Sequence, residues 1–216
     1  MSAFARRAFL ILVVALAGPA LGQTVTFGTE PLGIAPLAFD LELTGNGMVG
    51  VWAVVQDEDA TGRRAFEQRT VDPTDYRFPL AIYRPTVARD VEASVRFKPI
   101  SGKVDQAGGL ALRVLDANNY YVVRANALEN NVNFYRVVSG RRQQIKGADA
   151  KVASAQWHSL ALRAEGDKFT VSYDGRELFS ATDRTFGSEG RVGLWTKADS
   201  LTRFSELTIK PLGAER

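Results

Sequence analysis

The sequence predicts an all-β protein, a sandwich or barrel of short antiparallel strands. Three observations predict it. Apolar residues recur mainly at a spacing of two, clusters of glycine, asparagine and aspartate punctuate the chain at short intervals, and no window beyond the N-terminus sustains a helical stripe. "GADAKVASAQ" could hold one helical turn at most.

The elements follow in chain order. Arg6 and Arg7 form a positive start, Phe9 to Ala17 are apolar, Gly18-Pro19 break the run, and Ala20 and Gly22 offer small residues before Gln23. That is the pattern of an export signal cut before Gln23. The apolar run is too short for a bilayer, which takes about 20 residues, so no integral membrane segment is expected once residues 1–22 are removed. "RRAFL" also fits a twin-arginine signal, although the strongly apolar Leu10–Leu16 favours the general secretory route. Residues 23–216 are expected to form a single domain, long enough to bury a full core.

Strands are expected at 48–56, 65–70 and 79–83. In "RDVEASVRFK" Val91, Ala93, Val95 and Phe97 share one face while Glu92, Ser94, Arg96 and Lys98 share the other, a half-buried antiparallel strand. Strands follow at 108–115, 119–126, 131–138, 141–146 and 157–164. In "DKFTVSYDGRELFSA" Phe169, Val171 and Tyr173 alternate up to Asp174-Gly175, the strongest short hairpin signal. The last two strands fall at 190–197 and 201–210.

Composition excludes several kinds of chemistry. The chain holds 27 basic and 24 acidic residues, net +3, and loss of Arg6 and Arg7 lowers even that. The charges are scattered, so no nucleic-acid partner is implied. No cysteine is present, which removes disulfides, lipid attachment and thiolate chemistry. With no N-x-S/T sequon either, a bacterial periplasmic or secreted protein is expected. One histidine and no cysteine leave no zinc or iron site, and no glycine-rich loop opens a helix for phosphate. No cofactor is expected, a structural calcium aside. "QDEDATG" gathers Asp57, Glu58 and Asp59, oxygen ligands that could hold Ca²⁺ but that read more simply as a solvated acidic turn.

The single histidine, His158, lies in "SAQWHSLALR". Period two places it with Leu160 and Leu162, while Trp157 points the other way with Ser159 and Ala161. A histidine aligned with leucines packs and bonds a nearby backbone, so His158 and Trp157 are read as structural. A binding surface is the better candidate for function. Arg113, Arg124 and Asn126 fall mid-strand in consecutive strands, and Tyr120 shares the face of Arg124. Planar aromatics beside bidentate donors suit sugar hydroxyls. Asp116 with Asn118 and Asn119 reads as a turn closed by side-chain bonds.

Several of these features together resemble a known superfamily: Asp116 with Asn119-Tyr120-Tyr121, Trp157-His158 opening a strand, the Asp174-Gly175 hairpin, and Gly190 to Trp195 before a last strand. They are similar to the concanavalin A-like jelly rolls, close to bacterial laminin-G-like domains and to the 3-keto-disaccharide hydrolase group related to glycoside hydrolase family 16. The resemblance covers roughly residues 27 to 210 and implies a jelly-roll sandwich of two antiparallel sheets. It leaves function open, because this scaffold hosts lectins, glycanases, lyases and adhesion modules. The Glu-x-Asp-x-x-Glu strand of its retaining glucanases is absent, since Glu165-Gly166-Asp167 lies in a turn with Thr170 beyond. A noncatalytic carbohydrate- or envelope-binding domain is therefore the first expectation. If the resemblance extends to cleavage of 3-keto-glycosides, Asp116 and Arg113 are the residues available for it. A protein-adhesion surface of laminin-G type is the third reading.

Overall fold

The computed structural model describes residues 22–213, so all but the last residue of the expected export signal lies outside them. Fifteen strands run in order: β1 (Gln23–Thr26), β2 (Phe39–Gly45), β3 (Trp52–Gln56), β4 (Arg64–Gln68), β5 (Arg77–Ala88), β6 (Val91–Ser101), β7 (Ala107–Asp116), β8 (Asn119–Asn126), β9 (Asn131–Val138), β10 (Arg141–Asp149), β11 (His158–Glu165), β12 (Lys168–Tyr173), β13 (Arg176–Thr182), β14 (Gly190–Thr196) and β15 (Leu201–Pro211). The first sheet has the order β13-β12-β11-β6-β15-β4-β3, with β1 also paired to β15. The second has the order β10-β9-β8-β7-β14-β5-β2. All recorded pairings are antiparallel. The chain is thus an all-β jelly-roll sandwich, as the turn spacing and alternation predict.

The core lies between the sheets. Val91, Ala93, Val95 and Phe97 of β6 and Leu160 and Leu162 of β11 meet Leu110, Leu112, Tyr121 and Val123 of the second sheet. In the first sheet β11, β12 and the first part of β6 alternate between a buried and a half-buried face; β11 reads buried, half-buried, buried from His158 to Ala164. The second sheet differs. Its outer face carries an apolar cluster of its own that includes Phe78, Leu80, Ile82, Tyr120, Val122 and Trp195. "FPLAIY" and "YYVV" are therefore apolar without interruption, as strands buried on both faces must be.

Three elements depart from the sequence expectation. β1 and β2 are strands that it omits, and the strand expected from residue 48 starts at Trp52, because Gly45 and Gly47 turn the chain with φ of 87° and 86°. Nor does 147–156 hold a helical turn, because β10 runs on to Asp149. The one helical turn among the described residues is a 3-10 turn at Thr61–Arg63. No described helix is long and apolar enough to cross a membrane.

Candidate functional site on the outer face of the second sheet

Alternation along β8 sends Tyr120, Val122, Arg124 and Asn126 to the outer face and Tyr121, Val123 and Ala125 to the core. Three of the four expected binding residues, Tyr120, Arg124 and Asn126, therefore share one face. Arg113 does not. Between Leu112 and Asp116 the β7–β8 register slips, and Arg113 adopts the left-handed conformation with φ of 48°. This bulge turns its side chain inward, over the Phe169 ring at 5.2 Å. There Nε donates to Arg89 O (2.8 Å), Nη1 to Phe186 O (2.7 Å) and Nη2 to Gly166 O (2.6 Å), with Asp90 at 3.3 Å. The side chain is wholly buried. Its guanidinium ties three loops together at one end of the sandwich, β5–β6, β11–β12 and β13–β14. Gly190 permits the bulge, since a Cβ there would lie 2.5 Å from the Arg113 carbonyl carbon.

The face that Arg124 joins is built as a polar cluster beside an aromatic one. Arg124 Nη2 donates to Glu129 Oε2 at 2.7 Å and to the Tyr135 hydroxyl at 3.0 Å, while Nη1 bonds Asn131. Asn126 Oδ1 accepts from the Leu128 backbone at 2.9 Å, which closes the turn that delivers Glu129 and Asn131. Its Nδ2 donates to Asp105 Oδ1 at 2.8 Å. Lys197, one residue past β14, bridges Asp105 at 2.8 Å and the exposed Asp75 at 2.6 Å.

Burial pushes the Asp105 carboxyl above its ordinary range against the pull of Lys197. The same burial works against the Lys197 ammonium, but its two carboxylate partners outweigh it and raise its pKa. Glu129 is likewise resisted by burial yet held below the usual carboxylate range by Arg124.

Next to this cluster runs a directed chain of hydrogen bonds. Trp195 Nε1 donates to the Tyr120 hydroxyl at 3.2 Å, and Tyr120 lies 2.8 Å from the Thr44 hydroxyl, whose own proton goes to Ala117 O. Burial lifts the Tyr120 phenol to about 12, so it stays protonated. Gly109 sits across from both Arg124 and Trp195. A Cβ at Gly109 would come within 3.1 Å of the indole and 3.3 Å of Arg124 Cβ, so the glycine lets the two side chains close up. Arg142 of β10 completes the face. Its guanidinium carbon lies 4.7 Å from the Phe78 ring, 4.5 Å from Tyr135 and 5.7 Å from Trp195.

The other expected residues lie elsewhere. Asp116 is exposed in the β7–β8 turn, where Oδ1 accepts from Asn118 N at 2.7 Å and Asn119 Nδ2 at 3.0 Å. It faces no partner from Arg113, so the fold does not assemble the pair named for 3-keto-glycoside cleavage. His158 is buried with both ring nitrogens engaged. Nδ1 is 2.8 Å from Asp174 Oδ2 and from the Tyr173 hydroxyl, and Nε2 is 3.0 Å from Ala153 O. Trp157 lies on the outer face of the first sheet beneath Arg96 and Lys98, at 5.3 and 4.8 Å.

Asp57 is buried rather than solvated and pairs with Lys98 at 2.6 Å and Arg203 at 2.9 Å. Glu58 pairs with Arg63. The cations beside Asp57 take the oxygens that calcium would need, and among the described residues no group of three or more carboxylates or imidazoles is placed to hold a metal.

Asp75, Asp105, Glu129, Tyr135, Arg142, Trp195 and Lys197 escape the sequence reading. Asp75, Asp105, Glu129 and Lys197 sit in turns or past strand ends, where a strand pattern assigns no face. Arg142 was legible in principle, since β10 pairs it with Val137 on the same face as Tyr135.

No family model matches the chain. It is 31% identical over 104 residues to the levanase of Bacillus subtilis (strain 168), a match covering 48% of this chain and 15% of that protein. The chain thus spans a small part of the length of that relative. Among solved structures, the carbohydrate binding module CBM66 from Bacillus subtilis superposes with a TM-score of 0.63 at 22% identity, covering 79% of this chain and 94% of the module. Lectin II from Ulex europaeus superposes at 0.61 with 11% identity, covering 90% and 100%. Identities this low speak to architecture, and they place the chain in the concanavalin A-like jelly-roll fold.

Proposed function

We propose that the chain binds a glycan noncatalytically on the outer face of the second sheet, as a periplasmic or secreted recognition domain. The observation that carries the reading is the convergence of Arg124, Asn126, Asp105, Glu129 and Lys197 beside Tyr135 on that face. Arg124, Asn126 and Asp105 are buried and fix in place the members that reach the surface, Glu129 and Lys197, next to aromatic carbon, which is the composition sugar sites require. The architectural likeness to a carbohydrate binding module and a lectin supports the reading, as does the partial match to a levanase. Levan is accordingly the first polysaccharide to try. Asp116 and Arg113, the pair named for 3-keto-glycoside cleavage, are not brought together.

The test is calorimetric titration of levan oligosaccharides and of a broad panel of neutral and acidic oligosaccharides. Binding should weaken at least tenfold in Arg124→Ala and Asn126→Ala. It should persist in Arg163→Ala, whose ion pairs with Glu92 and Glu165 lie on the first sheet. Silence across the whole panel would overturn the reading. So would turnover of a 3-keto-disaccharide that disappears in Asp116→Asn.

A further inference from the structure

We infer that the glycan bound on this face carries a carboxylate, a uronate or a related acidic sugar, and that Arg142 receives it. The inference rests on the glycan-binding reading and narrows it to a substrate class.

The argument is a comparison of cations on one face. Arg84 lies 3.6 Å from Asp40, Arg124 2.7 Å from Glu129, Arg191 2.8 Å from Asp40 and Lys197 2.6 Å from Asp75. Each has its carboxylate. Arg142 has no carboxylate within bonding distance among the described residues, and its Nη1 is buried without a hydrogen-bond partner. Asp75, whose carboxyl Lys197 holds below its ordinary range with a small contribution from Arg142, is already bonded to Lys197. Arg77 Nη2 and Arg124 Nε are also buried without a partner, but both of those guanidinium groups have a carboxylate, so Arg142 is set apart by its uncompensated charge.

The geometry says what would satisfy it. Three rings, those of Phe78, Tyr135 and Trp195, approach the guanidinium. Ring quadrupoles stabilise a cation electrostatically without accepting its in-plane protons. The guanidinium is therefore held in place with Nη1 enclosed, while no described group accepts from its Nε and Nη2, and that edge is the one left for a ligand. The backbone helps to fix it, because Arg142 N donates to the Tyr76 hydroxyl at 2.7 Å, and that hydroxyl donates to Gly140 O at 3.0 Å. A planar fork of parallel N–H groups matches a carboxylate in two-point contact. A neutral diol could accept the same bonds but would leave the charge uncompensated, and charge-assisted bonds are about twice as strong as neutral ones.

The test pairs acid with alcohol. Oligosaccharides of galacturonic, mannuronic and glucuronic acid are titrated alongside their carboxyl-reduced counterparts, against wild type, Arg142→Gln, Arg142→Lys and Arg141→Gln. Arg141 is the exposed neighbour on the opposite face of the same strand, facing a groove of about 730 Å³ lined also by Arg136 and Gln143. At least one acid should bind tenfold or more tightly than its alcohol. That preference should vanish in Arg142→Gln, shrink in Arg142→Lys, which keeps charge but loses the fork, and survive in Arg141→Gln. Thermal melting checks that each variant folds. Equal or tighter binding of the neutral partners, or of levan alone, overturns the inference and leaves glycan binding intact. A folded Arg142→Gln that keeps the acid preference also overturns it. Binding of no saccharide, acidic or neutral, overturns both.

Discussion

His158 in the first sheet and Arg124 in the second are both buried polar side chains, yet the networks around them end differently. Around His158 the bonds close. Asp174, Tyr173 and Ala153 occupy both ring nitrogens, and the second Asp174 oxygen accepts from Ser159 N at 2.7 Å. Around Arg124 they stay open, since the network runs out through Glu129 at 45% exposure and Asp75 at 74%, and the enclosed Arg124 Nε and Arg142 Nη1 have no partner. A closed network holds strands together and has nothing left to offer. An open one retains donors and acceptors for a ligand, at a cost in stability that a purely structural role would not justify. Arg113 belongs with His158 on this criterion, because its bonds all return to the protein's own loops.

The comparison can be broken first at Arg113. Arg113→Met removes the guanidinium, strands Phe186 O in the interior and takes the shared donor from the part-buried Arg89 O and Gly166 O. Loss of one partner from a buried charged network costs about 3–5 kcal/mol, and urea denaturation should read a loss of that size. Affinity per folded molecule should stay as in wild type. If Arg113→Met folds normally but no longer binds the glycan, the division between closed and open networks fails.

The second break is at His158. His158→Ala should cost roughly 1–4 kcal/mol through a partial cavity and lost hydrogen bonds, and His158→Gln, which keeps a donor and an acceptor, should cost less. Denaturation midpoints and a glycan titration on the same samples separate the outcomes. Variants as stable as wild type but unable to bind would move His158 into the site.

These residues also show how far the sequence could be read. The inward face of His158 was legible because β11 alternates without a fault, and the Asp174-Gly175 hairpin because Asp174 adopts φ of 46° and Gly175 76°. Arg113 was assigned by the same period-two rule and fails it. One non-glycine residue in the left-handed conformation shifts the phase of β7, and no residue type in "LRVLD" announces that bulge. β2 was missed because it is an edge strand in which only Phe39 among the apolar residues is buried, Leu41 and Leu43 being half-buried. The open network was legible only in its strand residues. Asp105 and Lys197 reach it from connections, and only tertiary structure brings connections together.

A third test acts at the seam between the aromatic and polar halves of the site. Gly109→Ala adds a methyl 2.9 Å from Val123 O and 3.1 Å from the Trp195 ring. Crowding of this kind costs about 1–3 kcal/mol, and here it must also part Trp195 from Arg124. Stability and affinity should therefore fall together, unlike in Arg113→Met. A variant that loses stability with unchanged affinity would show that the aromatic half plays no part in binding.

The smallest effect concerns Asp72, which positions the turn carrying Asp75. Its carboxylate accepts from Met48 N at 2.7 Å and from Thr74 N at 2.9 Å, bonds that bring its pKa from 3.8 to about 2. Asp72→Asn keeps one acceptor oxygen but turns an amide N–H toward the other donor, a loss of about 1 kcal/mol. The pH dependence follows from the depressed value. Above 3.8 the carboxylate is ionised in both folded and unfolded chains and contributes fully. As the pH falls from 3.8 toward 2 the unfolded chain takes up the proton first, so the contribution drains away, and below about 2 it is gone. Urea melts of wild type and Asp72→Asn should differ most near neutral pH and converge toward pH 2. A gap that stays constant across that range would mean that acceptor geometry, not ionisation, holds the turn, and the placement of Asp75 in the open network would then be independent of charge at Asp72.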